Sequence, residues 1–138
     1  MNLIVYSAIY GGYDEVKQQP LKSVPVLFSD REASTWDTRI VDRPEQHPRM
    51  RAKYFKCNPH KELVCDVSVW IDGSATIRHP SFEDWCIEQL GDNDIALIKH
   101  PERDCIYDEA NYCQFMQKYQ GVPVVEQVQE YQKQGYPA

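Results

Sequence analysis

The chain has 138 residues and a formal net charge of −6, enough for one domain with a real core and too acidic for a general nucleic-acid binder, whose phosphate contacts need clustered Lys and Arg. No apolar run approaches the roughly 20 residues that span a bilayer, and the opening "MNLIVYSAIY" has no basic leader or small-residue cleavage site, so it reads as a first strand rather than a signal peptide. The five cysteines are odd in number and lack any C-x-x-C pair, which argues against a zinc framework or a secreted disulfide scaffold and for reduced thiols in a cytoplasmic protein.

Residues 3–9, "LIVYSAI", form a near-continuous apolar run and predict a central strand covered on both faces. The "YGGYDE" that follows is a loop without the G-x-G-x-x-G spacing, so it is weak evidence for a phosphate cradle. "VPVLFSD" (24–30) predicts a second strand, with Pro25 near its start where a missing donor is tolerated, and "WDTRIV" predicts a third. Pro48 suits the first turn of a helix running to about Asn58. Val67, Val69 and Ile71 then alternate with Ser68, Trp70 and Asp72, the period-two pattern of a strand. "PSFEDWCIEQL" (80–90) predicts a helix with Phe82, Trp85, Cys86 and Leu90 on one face and Gly91 at its stop. "DIALIKHP" predicts another buried strand, Asp104 an N-cap for a helix to about Tyr119, and "VVEQVQEYQKQG" a last short helix. Strands alternating with helices predict a single α/β domain over residues 1–138, with a largely parallel sheet.

In such sheets ligands bind beyond the carboxyl ends of the strands. Tyr10, Tyr13 and Asp14 follow the first strand, Ser29-Asp30 ends the second, Asp72 ends the next, and Lys99-His100 with Arg103 and Asp104 closes the last. One polar strand end is commonplace; four on one edge suggest a site. Asp72 keeps two readings. Asp-Gly makes a tight turn unaided, in which case Gly73 would take positive φ, or the carboxylate faces a ligand.

"VYSAIYGGYD", "FSD", "RMRAKYFKCNPH", "VWIDGSATIRHP" and "HPERDCIYDEA" occur in this order. Together they resemble the TOD/MUCI-type glycosyltransferase-like family, whose members show Y-T-A-I-F-G-x-Y-D, F-T-D, R-x-A-R-x-x-K-x-x-P-H, S-I-W-I-D-G-N and H-P-x-R-x-C-x-Y-E-E-A. The likeness covers most of residues 3–113. It implies a GT-A-like fold of the nucleotide-diphospho-sugar transferase type, with a nucleotide-sugar lying across the strand ends. The implied reaction moves a hexosyl or uronosyl group from a nucleoside-diphosphate donor, UDP-linked, to a hydroxyl of an unidentified glycan, lipid or other acceptor. Two departures stand out. GT-A donor sites usually carry D-x-D for a divalent metal, whereas this chain has Asp72-Gly73-Ser74. The chain also stops at Ala138 where family members continue, so the sheet is expected to be incomplete on its C-terminal side and to associate as a homo-oligomer.

Glycosyl transfer requires that charge building on the leaving diphosphate be stabilised, by a metal ion or by fixed cations. Asp72 and His100 are the expected ligands of a Mn²⁺ or Mg²⁺ ion. Without a metal, Arg49, Arg51, Lys53, His60 and Arg103 are the available cationic set. Arg49 and Lys53 lie four apart and share a helix face, so Arg51 should point elsewhere. Asp72 and Arg103 are the expected catalytic residues. Tyr10, Asp14, Asp30, Arg49, Lys53, His60, Ser74 and His100 are the expected donor contacts, with Asp30 toward the base or ribose. Plainer readings stand beside these. "RMRAK" can be a solvated helix face, His60 and His100 can serve backbone turns, and Asp108 and Glu109 suit the first turn of a helix in any protein. A binding module that retains the pocket without chemistry, or a remnant acting through protein contacts, is the alternative to an enzyme.

Overall fold

The apolar run at the start of the chain forms β1 (Leu3–Ile9), and every residue from Val5 to Ile9 is buried, as a strand covered on both faces requires. In the computed structural model, which describes residues 1–45 and 47–137, β1 lies between β2 (Val26–Ser29) and β4 (Val67–Trp70), and β3 (Asp37–Ile40) pairs with β2. The order is β3-β2-β1-β4 and all three pairings are parallel. With its flanking helices the sheet is an α/β fold consistent with a GT-A-like domain.

Period-two alternation sorts the side chains of β1 onto two faces. Tyr6, Ala8 and Tyr10 face α1 (Pro48–Cys57) and pack with Val26, Phe28, Phe55 and Leu63. Phe55 stacks on Phe28 at 4.2 Å and is 0% exposed, a burial worth about 2–3 kcal/mol. Val5 and Ile9 turn to the other face, with Leu27, Trp36, Ile71 and Ile77. Pro48 stands at the first position of α1, and the His47 side chain accepts the Arg49 N–H as its cap. A short turn of helix, α2 (Pro59–Glu62), which the sequence reading did not anticipate, returns the chain to β4. The helix α3 (Phe82–Leu90) ends at Gly91, whose positive φ of 54° favours glycine and whose N–H bonds the Ile87 carbonyl. Glu83 of α3 is buried, and its carboxylate accepts from the Lys22 and Ser23 amides and the Ser23 hydroxyl.

The chain divides into two units, Met1–Ile95 and Ala96–Ala138. The second contains α4 (Ile106–Cys113), a 3₁₀ turn (Gln117–Tyr119) and α5 (Val124–Lys133), with α4 and α5 packed on each other. The long helix expected up to Tyr119 stops at Cys113, where i to i−3 bonds from Phe115 to Tyr112 and from Met116 to Cys113 tighten the chain. Its N-cap is Cys105 rather than Asp104.

One expected strand does not form. Residues 95–100 of "DIALIKHP" are irregular, and Ile95, Leu97 and Ile98 are 70%, 84% and 90% exposed. Apolar, β-branched composition favours a strand only where a ladder partner and packed neighbours are supplied. None of the pairings among the described residues includes this segment.

Candidate functional site

Because the four strands are parallel, their carboxyl ends share one edge. Asp30 follows β2 and Asp72 lies just past β4, so the two acids flank the central strand. Ile9 pairs with Ser29, but Tyr6 pairs with Trp70, so β4 ends about three residues short of β1 along the sheet. Asp72 therefore sits beside the end of β1 rather than beyond it. The loop after β1 occupies the step. Asp14 lies against Gly73 so closely that an added Cβ would stand 2.9 Å from Asp14 Oδ2 and 2.9 Å from Ile9 Cγ1. Gly73 is not among the glycines with positive φ. Glycine is required there for close approach and not for its dihedral freedom, which corrects the expectation attached to a simple Asp-Gly turn.

Gly11 and Gly12 do adopt φ of 62° each, a conformation that costs other residues strain. The Gly11 N–H donates to Asp30 Oδ2 at 2.9 Å, and the Cα of Gly11 packs on the Pro48 ring. Arg31 lies across Gly12 and 3.6 Å from Asp30 Oδ1. Asp30 thus pins the glycine turn to β2 while staying at the surface. Tyr10, expected as a donor contact, is a core residue, 1% exposed, whose hydroxyl donates to the Val41 carbonyl at 2.8 Å. Burial pushes its ionisation up to about 12.

Asp72 has defined neighbours. Residues two apart on a strand share a face, and the Trp70 indole N–H donates to Asp72 Oδ1 at 2.7 Å. The Lys56 ammonium reaches the same oxygen at 3.2 Å and lies 5.4 Å from the Trp70 ring centre. Partial burial pushes the Asp72 carboxyl up, but the indole hydrogen bond and the Lys56 charge outweigh it and hold the carboxyl below the usual range. Oδ2 accepts no protein hydrogen bond among the described residues. The Asp72 carbonyl accepts from Ala75 N–H at 2.9 Å, closing a turn, and the Ser74 carbonyl accepts from Lys17 Nζ at 2.5 Å. Arg49 stands 5.9 Å from the Tyr13 ring centre at the start of α1. Lys53 and His60 are exposed and make no hydrogen bond or ion pair among the described residues. Arg51 does point away, as the spacing requires, and donates to the Glu45 carbonyl.

A family model described as TOD1/MUCI70, glycosyltransferase-like domain, matches residues 30–138. The chain belongs to this family. No curated protein and no solved structure matches it. The family match begins at Asp30 and takes in α1, the Asp72 turn and the second unit. Within this TOD1/MUCI70 chain, β1 and its glycine loop lie before the matched residues.

His100 and Arg103 belong to the second unit. His100 Nδ1 accepts from the Glu102 and Arg103 amides at 3.2 and 3.1 Å, which is the backbone-turn role. Arg103 pairs with Glu109 and with Glu102 and lies 4.1 Å from the Tyr112 ring centre, so two carboxylates already share its charge. Among the described residues no helix is long and apolar enough to cross a membrane.

Sequence reasoning missed Lys56, Lys17 and the Trp70 contact. Lys56 was within reach of the same spacing argument that joined Arg49 and Lys53, since it lies three residues beyond Lys53. Trp70 could have been read from its i, i+2 relation to Asp72. Nothing in the sequence spacing places Lys17 beside Ser74.

By themselves these residues do not enclose a hard divalent cation. Such ions take several oxygen ligands, water and substrate phosphates among them, and here Asp72 Oδ1 and the Ser74 carbonyl each already hold a lysine ammonium, which leaves Asp72 Oδ2. Among the described residues no three His, Cys, Asp or Glu side chains gather as metal ligands.

Proposed function

We propose that this TOD1/MUCI70 domain binds a nucleoside-diphosphate sugar, with UDP as the nucleotide, across the carboxyl ends of β1, β2 and β4, and transfers the sugar to an acceptor hydroxyl. The observation that carries the reading is the shared edge: an all-parallel sheet places Asp30, the Gly11-Gly12 turn and the Asp72-Gly73-Ser74 turn side by side, where α/β sheets bind their ligands. The N-terminal turn of α1 packs against Gly11 and carries Arg49, so helix dipole and guanidinium both favour the donor diphosphate there. Asp72 keeps Oδ2 for a hydroxyl of the donor sugar, and a charged acceptor makes that hydrogen bond strong. Asp30 borders the nucleoside end. The odd cysteine set favours a reducing compartment, so we assign the reaction to the cytoplasm.

Titration calorimetry with UDP and a panel of UDP-sugars tests the reading. Wild-type protein should bind at least one UDP-sugar with micromolar affinity and more tightly than UDP. Asp72→Asn retains an acceptor for the indole and should weaken the UDP-sugar at least tenfold, about 1.4 kcal/mol, while changing UDP far less. Absence of heat and of any thermal shift with every nucleotide would sink the proposal.

A further inference from the structure

We propose that two lysines, Lys17 and Lys56, add their positive charge to that of Arg49 at this edge, so that its diphosphate binding needs no divalent metal. The inference rests on the donor-binding reading above and adds which cations do the work. Lys56 extends from the end of α1 to Asp72 Oδ1 at 3.2 Å, steadied by the Trp70 ring. Lys17 reaches the Ser74 carbonyl at 2.5 Å from the other side of the turn. Neither lysine hangs from a loose tether. The Lys17 carbonyl accepts the Trp36 indole N–H at 2.9 Å, and Trp36 is buried. Two residues on, Gln19 bonds the Ala75 carbonyl and the Ile77 amide at 3.1 and 3.0 Å, lacing this segment to the residues after Ser74.

Charge accounting at the turn decides against a resident divalent ion. Asp14 and Asp72 bring two negative charges, and Lys17 and Lys56 bring two positive ones, so the turn is neutral as it stands. A divalent ion entering through the free Asp72 Oδ2 would sit beside the Lys56 ammonium on Oδ1 and, with two carboxylates at most, would keep most of its water until a nucleotide brought further oxygens. An arriving diphosphate meets the opposite situation. Each ammonium exchanges one protein oxygen, Asp72 Oδ1 or the Ser74 carbonyl, for a phosphate oxygen with more charge. Lysine suits this exchange because its ammonium is a mobile point charge on a flexible stem. The Lys17 contact uses the main-chain carbonyl of residue 74, which any residue there offers; serine in place of the second acid of D-x-D avoids further negative charge beside the incoming phosphates.

The test uses the full 138-residue chain and UDP as probe, titrated in EDTA and again in millimolar Mn²⁺, with Lys17→Gln and Lys56→Gln beside wild type and with electron paramagnetic resonance of Mn²⁺ alone. UDP affinity should agree within twofold between the two conditions, each variant should lose fivefold or more, and Mn²⁺ alone should stay free at 100 µM. UDP binding that appears only with Mn²⁺, or tight Mn²⁺ binding by the wild type, overturns the inference while the donor-binding reading stands. Metal-free binding that neither variant weakens does the same. No UDP binding in either condition overturns both. The comparison with and without metal is made on wild type, so a poorly folded variant does not remove the decision.

Discussion

Replacing Gly73 with alanine tests the close approach on which the strand-end geometry depends. The new Cβ would lie 2.9 Å from Asp14 Oδ2, 2.9 Å from Ile9 Cγ1 and 3.0 Å from Asp14 Cβ. These neighbours differ in how easily they yield. Asp14 is half-exposed and can swing outward, whereas Ile9 is 5% exposed and wedged among Leu27, Ile71 and Ile77. Overpacking of that kind costs about 1–3 kcal/mol. Gly73 lacks positive φ, so alanine brings no dihedral penalty and regains about 0.4–1 kcal/mol by narrowing the unfolded ensemble. The net expectation is a loss of about 1–2 kcal/mol, read as a lower urea midpoint by tryptophan fluorescence at unchanged slope. Asp14→Ala in the same background should recover part of the loss, with a coupling of at least about 0.5 kcal/mol, because the two sites touch. Equal or greater stability of Gly73→Ala would refute the reasoning and return Gly73 to an ordinary turn residue.

Three further outcomes are expected. Hydrogen bonds outweigh the burial that pushes the Glu83 carboxyl up, holding it below its usual range; its contribution is therefore present at neutral pH and lost as pH falls below about 4.3 through the folded-state value. Glu83→Gln should cost about 1–2 kcal/mol at pH 7, with the gap to wild type closing in acid melts. Tyr6 and Tyr10, both pushed up to about 12 mainly by burial, should lag the other tyrosines in an ultraviolet titration, and stability should decline as pH rises from about 10; simultaneous ionisation of all nine tyrosines below pH 11 in still-folded protein would contradict the packing. Asp30→Ala removes the acceptor for the Gly11 amide and should cost about 1 kcal/mol, with faster hydrogen exchange confined to residues 10–14.

The sheet was legible where burial and period agree. An apolar run such as Leu3–Ile9 has only one way to hide both its faces, and the alternation through Val67 to Ile71 fixed which side chains share the α1 face. "DIALIKHP" shows the limit. Its composition is as strand-like as that of β1, but a strand exists only with a partner, and pairing is not written in the segment itself. The site divides in the same way. Asp30 and Asp72 were readable because parallel topology alone sets their edge. Tyr10 was misjudged because adjacency to a strand end does not say whether a ring turns inward, and its hydroxyl finds Val41 in the core. Lys17 lies 57 residues from Ser74, and a contact at that separation follows from the folded loops and not from local spacing.

Turn geometry and charge first looked like rival explanations for Asp72, and the structure assigns them to different atoms. The turn belongs to the backbone, closed by the Ala75 amide on the Asp72 carbonyl, which any residue at position 72 could offer. The side chain is free of that duty and instead holds the Trp70 indole and the Lys56 ammonium on one oxygen. The Lys56 contact adds little to folding: the pair is about half exposed at each partner, 48% and 65%, and exposed pairs contribute about 0–1 kcal/mol. A carboxylate that the turn does not require and that stabilises the fold so weakly is best explained by what it does at the surface. On the reading proposed above, it keeps an ammonium in place at the sheet edge until a phosphate oxygen takes it over.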